Sequence, residues 1–322
     1  MLKIHDICAG LFTFFMIKET TLAHLGLFTS GLLFGASYWI AKGLMPDFMQ
    51  PMQIIFCRGL VALALFWLVS LFQKPTIIQP KDHAMLAICG LLGITINQAF
   101  FFWGLSYTSP VDTSLIHSAS PAMVMLFSAI IAKERPGISG IGGIALGALG
   151  SVILIYQGKN ATGGNNHLLG NSLIFINIMA YSLYLVLVKP LMTRYNAVAV
   201  MKWSFAYGFL FMLPFCYKSA YTIQWAQLTA NAWFAITYIV IGTTFIAYLL
   251  TTFSLKSLSA GVAGYYIYMQ PVIAAAMGIL IYGETISASK ILAAILVFAG
   301  IFMINKRLSL KQMPERNKQP SK

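Results

Sequence analysis

The sequence predicts an all-α integral membrane protein of ten transmembrane helices, arranged as two inverted five-helix repeats. Three observations carry that expectation. Of 322 residues, 59% are apolar and only 9% are charged, where a soluble domain carries about 25% charged residues. Apolar stretches of about 18–24 residues recur along the chain, each matching the ~20 residues that a helix needs to cross ~30 Å of hydrocarbon. The chain also resembles itself at an offset of 150 residues. A membrane β-barrel is excluded, because its strands alternate in ~10-residue pieces.

The spans are expected at 22–41, 51–72, 84–104, 110–132, 138–156, 171–188, 198–216, 232–254, 260–281 and 287–304. Turn-forming punctuation separates them, as at Pro46 to Pro51, Thr108 to Pro110 and Lys133 to Gly137. Residues 1–21 form a separate segment whose apolar run Ile7 to Ile17 is too short to cross. This run reads either as an interfacial helix or as sequence ahead of a start at Met16. The first repeat covers 22–156, an outer linker 157–170, the second repeat 171–305, and a basic tail 306–322.

Charge sets the orientation. With the N-terminus inside, Lys42, Lys159, Lys218 and Lys290 are the four outer cations, Arg58 and Lys202 lie within spans, and the other fifteen of the 21 Lys and Arg fall on the inner side. The positive-inside rule then places both termini in the cytoplasm of a multi-pass membrane protein. A net charge of +13 spread over loops and a tail has no folded basic face, which argues against nucleic acid as a partner. The lipid bilayer and a small-molecule substrate are the expected partners, and the chain is expected to be a monomer or a weak dimer. Cys8, Cys57, Cys89 and Cys216 show no paired spacing, so neither a metal site nor a disulfide framework is indicated.

Between residues 105–155 and 255–305 the offset gives nine identities without a gap, among them Pro121/Pro271, Glu134/Glu284 and Gly150/Gly300. Upstream, Ser37-Tyr38-Trp39 is echoed by Ser182-Leu183-Tyr184. Five spans is an odd number, so the second copy enters the membrane from the opposite side, and a cavity between two such copies can open alternately to either face.

Arg58-Gly59 early in span 2, Pro121 followed by Glu134, Pro271 followed by Gly283-Glu284, and Gly300 before a basic tail resemble, as a set, the EamA-type family of the drug/metabolite transporter superfamily. The resemblance covers about residues 22–305. It implies a bacterial inner-membrane secondary transporter of metabolites, often an exporter, with substrates that include amino acids and their derivatives.

Polar residues inside the spans are the candidate substrate site: Tyr38, Arg58, Asn97, Gln98, His117, Tyr181 and Tyr265. Arg58 lies seven residues after Pro51, about 10 Å below the outer surface. An arginine at that depth must face the interior with a partner. That partner is a substrate carboxylate on one reading, and backbone carbonyls or Asp112 on the other. His117, flanked by Ser114, Ser118 and Ser120, is a titratable mid-membrane group, and with Asp112, about one turn into span 4, it is a candidate for ion coupling. Its ordinary alternative is a hydrogen bond to a neighbouring serine, and that of Asp112 is the helix N-terminus. Pro121 and Pro271 are expected to break their helices and act as hinges. Gly143 and Gly147 allow close helix approach, within the monomer or in a dimer.

No HExxH, GxSxG or nucleotide-binding Gly-Lys-Ser/Thr pattern occurs, so neither an enzyme nor a cofactor is expected. A membrane-embedded enzyme or a scaffold without transport activity is the alternative reading.

Overall fold

The computed structural model describes residues 2–131, 133, 137–157, 166–258, 266–283 and 287–312. The described residues form helices and connecting turns, with no strand among them. In chain order the helices are α1 (Leu2–Leu44), α2 (Pro51–Leu71), α3 (Pro80–Gly90), α4 (Asn97–Tyr107), α5 (Pro110–His117), α6 (Ser120–Ile131) and α7 (Ile138–Gln157). The second half contributes α8 (His167–Arg194), α9 (Ala197–Ala220), α10 (Ala230–Thr237), α11 (Ala247–Ser257), α12 (Met269–Leu280) and α13 (Ala288–Gln312). Six stretches are long and apolar enough to cross a membrane: Pro51–Leu71, Pro80–Tyr107, Pro110–Ile131, His167–Arg194, Ala197–Ala220 and Ala230–Thr251. Ile138–Ile153, Met269–Leu280 and Ala288–Gly300 are shorter apolar helices.

Local chemistry sets the helix starts. Pro51, Pro80 and Pro110 stand at the first helical position, where no N–H is needed. Ser109, Asn166, Asn196 and Thr229 each accept a backbone N–H three residues on, capping α5, α8, α9 and α10. Helix α1, Leu2–Leu44, takes in both the N-terminal residues and the first expected span.

Two rods are widened by π-helical turns, Leu91–Ile96 between α3 and α4 and Tyr238–Ile246 between α10 and α11. Threonine hydroxyls meet carbonyls there: Thr243 and Thr244 donate to the Ile239 carbonyl at 2.6 and 2.8 Å. Thr95 reaches across to the Gly208 carbonyl on α9 at 2.8 Å. Hydroxyl donors of this kind re-satisfy backbone that has left the regular ladder. The helix break expected at Pro121 is present. It falls at Ser118 and Ala119, between α5 and α6. Proline has no N–H for the His117 carbonyl, which accepts the Ser120 hydroxyl instead at 2.6 Å.

The two halves interlock by exchange. α4 packs on α8 while α11 packs on α1, and α6 packs on α8 while α12 packs on α1. The partners at the centre of this exchange, α7 with α13 and α2 with α9, run antiparallel. A Cβ on Gly150 would meet Val297 and the Ala293 carbonyl, whereas one on Gly300 would meet the Gly143 carbonyl and Gly147. Shifted by 150 residues, each of these contacts is the other. On α2 and α9, the Phe66–Phe205 rings lie 5.0 Å apart and Trp67–Trp203 5.8 Å, while Gln53 at the far end of α2 bonds Thr222 just past α9. Gly143 and Gly147 are therefore used inside the chain. The turns that end α6 and α12 also match, with positive φ at Lys133 (53°) and Gly283 (63°), 150 residues apart.

At Gly300 the added Cβ would lie 2.6 Å from a backbone carbonyl, which cannot swing aside. Gly300→Val is expected to destabilise the folded protein by about 1–3 kcal/mol, read as a lower Tm and loss of monodispersity in detergent. Gly43→Ala, where a Cβ meets nothing within 4 Å, is the control and stays within about 0.5 kcal/mol.

Candidate functional site

Helix α4 organises the predicted polar residues, because its first two turns present two faces. Asn97 and Phe101 share one face and Gln98 and Phe102 the next, four residues apart in each case. On the first face, Phe101 contacts the rings of Tyr38 at 5.8 Å and His117 at 5.8 Å, and those two rings are 5.9 Å apart. Tyr38 donates its hydroxyl to Gln270 Oε1 at 2.8 Å, linking α1 of one half to α12 of the other. On the second face, the Arg58 guanidinium stands over the Phe102 ring, 5.3 Å from its centroid. The Tyr248 phenol lies within electrostatic range of Arg58 and of Tyr181 and Tyr184. The Phe101 and Phe102 rings, 5.0 Å apart, join the two clusters.

Several of these groups lack what their chemistry demands. Arg58 is 7% exposed, and its Nε makes no hydrogen bond. Both amide atoms of Gln98, 1% exposed, are buried without a partner, as are Asn177 Oδ1 and His117 Nδ1. Asn177 spends its amide N–H on the Asn97 carbonyl at 2.5 Å. Inside a bilayer, an unsatisfied polar group costs several kcal/mol. Arg58, Gln98, His117 and Asn177 all lie around α4, through Phe102, Phe101 and Asn97. Phe101, His117, Tyr181 and Tyr248 are part-buried.

The predicted residues thus divide as follows. Tyr38 and His117 are in mutual contact, Arg58 and Gln98 flank Phe102, Asn97 is tied through its backbone to Asn177, and Tyr181 packs on Tyr184 with ring centroids 5.8 Å apart. Tyr265 lies outside the described residues. So do Glu134 and Glu284. Asp112 does not serve Arg58: its carboxylate pairs with Lys290 at 3.0 Å. Phe101, Phe102 and Tyr248 were not among the expected site residues. Phe102 is one turn from Gln98, and Tyr248 stands 150 residues after it, which are the signals that point to them. A separate groove of about 580 Å³, lined by Phe56, Leu213, Pro214, Tyr217, Ala220 and Tyr221, involves none of the predicted residues.

The halves touch each other at both ends of the bundle. At one end Trp39 stacks on Tyr282 at 4.0 Å and donates its indole N–H to the Ala274 carbonyl at 2.7 Å, beside the Asp112–Lys290 pair. At that same end Lys42 donates to the Leu105 and Ser106 carbonyls at the end of α4, both at 2.8 Å, a favourable place for a cation. At the opposite end Arg194 binds both oxygens of Asp82 at 3.0 and 2.8 Å, and Tyr195 donates to the same carboxylate at 2.6 Å. His24 and Tyr266 hydrogen-bond at 2.8 Å at that end.

Comparison with known proteins agrees with this architecture. The chain is similar to the uncharacterized transporter YetK of Bacillus subtilis (strain 168), at 23% identity over 89% of this chain and 88% of that one. It is also similar to a probable terminal-alkyne amino-acid exporter of Streptantibioticus cattleyicolor, at 22% identity over 70% of this chain and 74% of that one. A solved crystal structure shares the fold, with a TM-score of 0.59 at 21% identity, covering 89% of this chain and 98% of the other. The family model of the EamA-like transporters matches twice, over residues 21–156 and 168–306, and this multi-pass membrane protein belongs to that family.

Proposed function

We propose that the protein is a secondary transporter that exports a small organic metabolite, an amino acid or a derivative of one. In this reading ten helices cross the inner membrane as two inverted five-helix repeats, and both termini are cytoplasmic. The substrate binds between the halves, at Tyr38, Arg58, Asn97, Gln98, His117 and Tyr181, with Tyr265 a further candidate. The observation that carries the reading is the cluster of buried, unpartnered polar groups between two halves that contact each other at both ends. The antiparallel packing of α7 on α13 and of α2 on α9 supports the inversion, because a two-fold axis across the helices relates opposite faces of the membrane. The exporter named among the relatives supports the direction and the solute class.

Alternating access then requires the two ends to open in turn. The Trp39–Tyr282 and Asp112–Lys290 contacts close the outer end, and Asp82 with Arg194 and Tyr195 closes the cytoplasmic one. The breaks at Pro121 and Pro271 serve as hinges. Asp112 and His117 are the groups available for proton coupling, since protonation of Asp112 removes the attraction to Lys290.

Three measurements test this. In proteoliposomes loaded with a labelled metabolite pool, the parent protein is expected to give saturable counterflow, and Arg58→Gln to lose about tenfold or more in apparent affinity. Counterflow unchanged in Arg58→Gln removes that residue from the site. With a cysteine reporter at Ser118, Lys290→Gln is expected to raise labelling from outside and Asp82→Asn labelling from the cytoplasmic side. Equal labelling from both sides in both variants contradicts the two-ended closure. A rate that does not vary with pH in the parent, in Asp112→Asn or in His117→Asn removes proton coupling.

A further inference from the structure

The charges around the site narrow the class of solute, on the reading that it is a transport site. Arg58 is a buried cation that stands over the Phe102 ring, with the Tyr248 phenol within electrostatic range. Among the described residues the ion pairs are Asp82 with Arg194 and Asp112 with Lys290. Both stand at the ends of the bundle, so the acids nearest the site are already spent. A carboxylate entering the site supplies the counter-charge that Arg58 lacks, through charge-assisted hydrogen bonds in low dielectric. An ammonium entering with it would be stripped of water beside a like charge. Asp82 and Asp112 are paired and Asp47 is exposed in the turn after α1, so no described carboxylate stands beside Arg58 to receive it, and uncompensated burial of that kind is strongly unfavourable.

The neutral groups point the same way. Gln98 offers one N–H₂ donor and one carbonyl acceptor, both buried and unpaired, one helical turn from the ring beneath Arg58. A secondary amide has the complementary acceptor and donor. Asn177 Oδ1 takes one further N–H or O–H. Phe101 and Tyr181, both part-buried, provide apolar ring surface for the remainder.

We infer that the site is selective for charge: it takes carboxylates of net negative charge, those whose amino group is acylated or absent, and discriminates against zwitterions and cations. Arg58 supplies the charge selection and Gln98 the recognition of the amide.

The test uses the purified full-length protein and three probes of one shape, N-acetylphenylalanine (anion), phenylalanine (zwitterion) and phenylalanine methyl ester (cation), in thermal-shift titrations. N-acetylphenylalanine is expected to raise the Tm at concentrations about tenfold or more below those at which phenylalanine acts, and the ester to give no shift. Arg58→Gln is expected to abolish the shift, Arg58→Lys to retain part of it, and Gln98→Leu to weaken N-acetylphenylalanine by a smaller factor than Arg58→Gln does. Phenylalanine or the ester binding as well as the anion overturns the inference, as does a site indifferent to all three. The variants' own melting transitions report whether each is folded. Flux of the same probes in proteoliposomes separates this inference from the transport reading. Selective binding of the anion without flux keeps the selectivity and rejects transport, whereas flux of phenylalanine in preference to N-acetylphenylalanine keeps transport and rejects the selectivity.

Discussion

Hydrocarbon cannot hydrogen-bond, and that single constraint organises this molecule. Each stretch that crosses must satisfy its own backbone, which leaves helices as the building material and makes each departure from a regular helix conspicuous. The departures here are few and have identifiable donors. Thr95, Thr243 and Thr244 serve carbonyls at the two π-helical turns, and Ser120 serves the carbonyl that Pro121 deserts. Against that record of satisfied groups, the unpaired atoms of Arg58, Gln98, Asn177 and His117 stand out. Ser204 Oγ on α9 and one Asp112 oxygen also lack a hydrogen-bond partner, but those four side chains share a location around α4, and that clustering is what the proposed substrate site rests on.

The scaffold is symmetric where the chemistry is not. Gly150 and Gly300 make equivalent contacts, the π-helical turn at Leu91–Ile96 recurs within Tyr238–Ile246, and α3 and α10 begin 150 residues apart at Pro80 and Ala230. The same shift carries His117 to Ile267, Gln98 to Tyr248, Asp82 to Ala232 and Lys290 to Gly140. Packing needs only volume and close approach, which both copies keep. Recognition needs one charge in one place, and a second Arg58 in the other copy would have repelled the first.

Much of this was legible from residue order. Span positions follow from runs of apolar residues, because length and composition alone decide which segments can sit in hydrocarbon. The offset identities at Pro121/Pro271 and Gly150/Gly300 announced a repeat, because helix breaks and close helix approaches admit few residue types. Arg58, Gln98, Tyr38 and His117 were legible as candidates for a related reason: a polar side chain inside an apolar span requires an explanation. The pairings were not legible. Nothing in the sequence sets Lys290 against Asp112 or Arg194 against Asp82, since those partners are 178 and 112 residues apart and meet only when the halves interlock. Nor does it show that Phe101 and Phe102, ordinary apolar residues in an apolar span, are the surfaces on which the polar groups are mounted.

The sequence by itself determined that the chain enters the membrane, roughly where, that it does so as two related halves, and which polar residues enter with it. Hydropathy and helical periodicity are local properties, readable one segment at a time. Only the tertiary structure decided which cations are spent and which is left over. Lys42 caps the end of α4, Lys290 and Arg194 hold carboxylates at the two ends, and Arg58 lies over a ring with no described carboxylate beside it. That division depends on distances between elements remote in sequence, and the electrostatics of the site follow from the division rather than from the residue list.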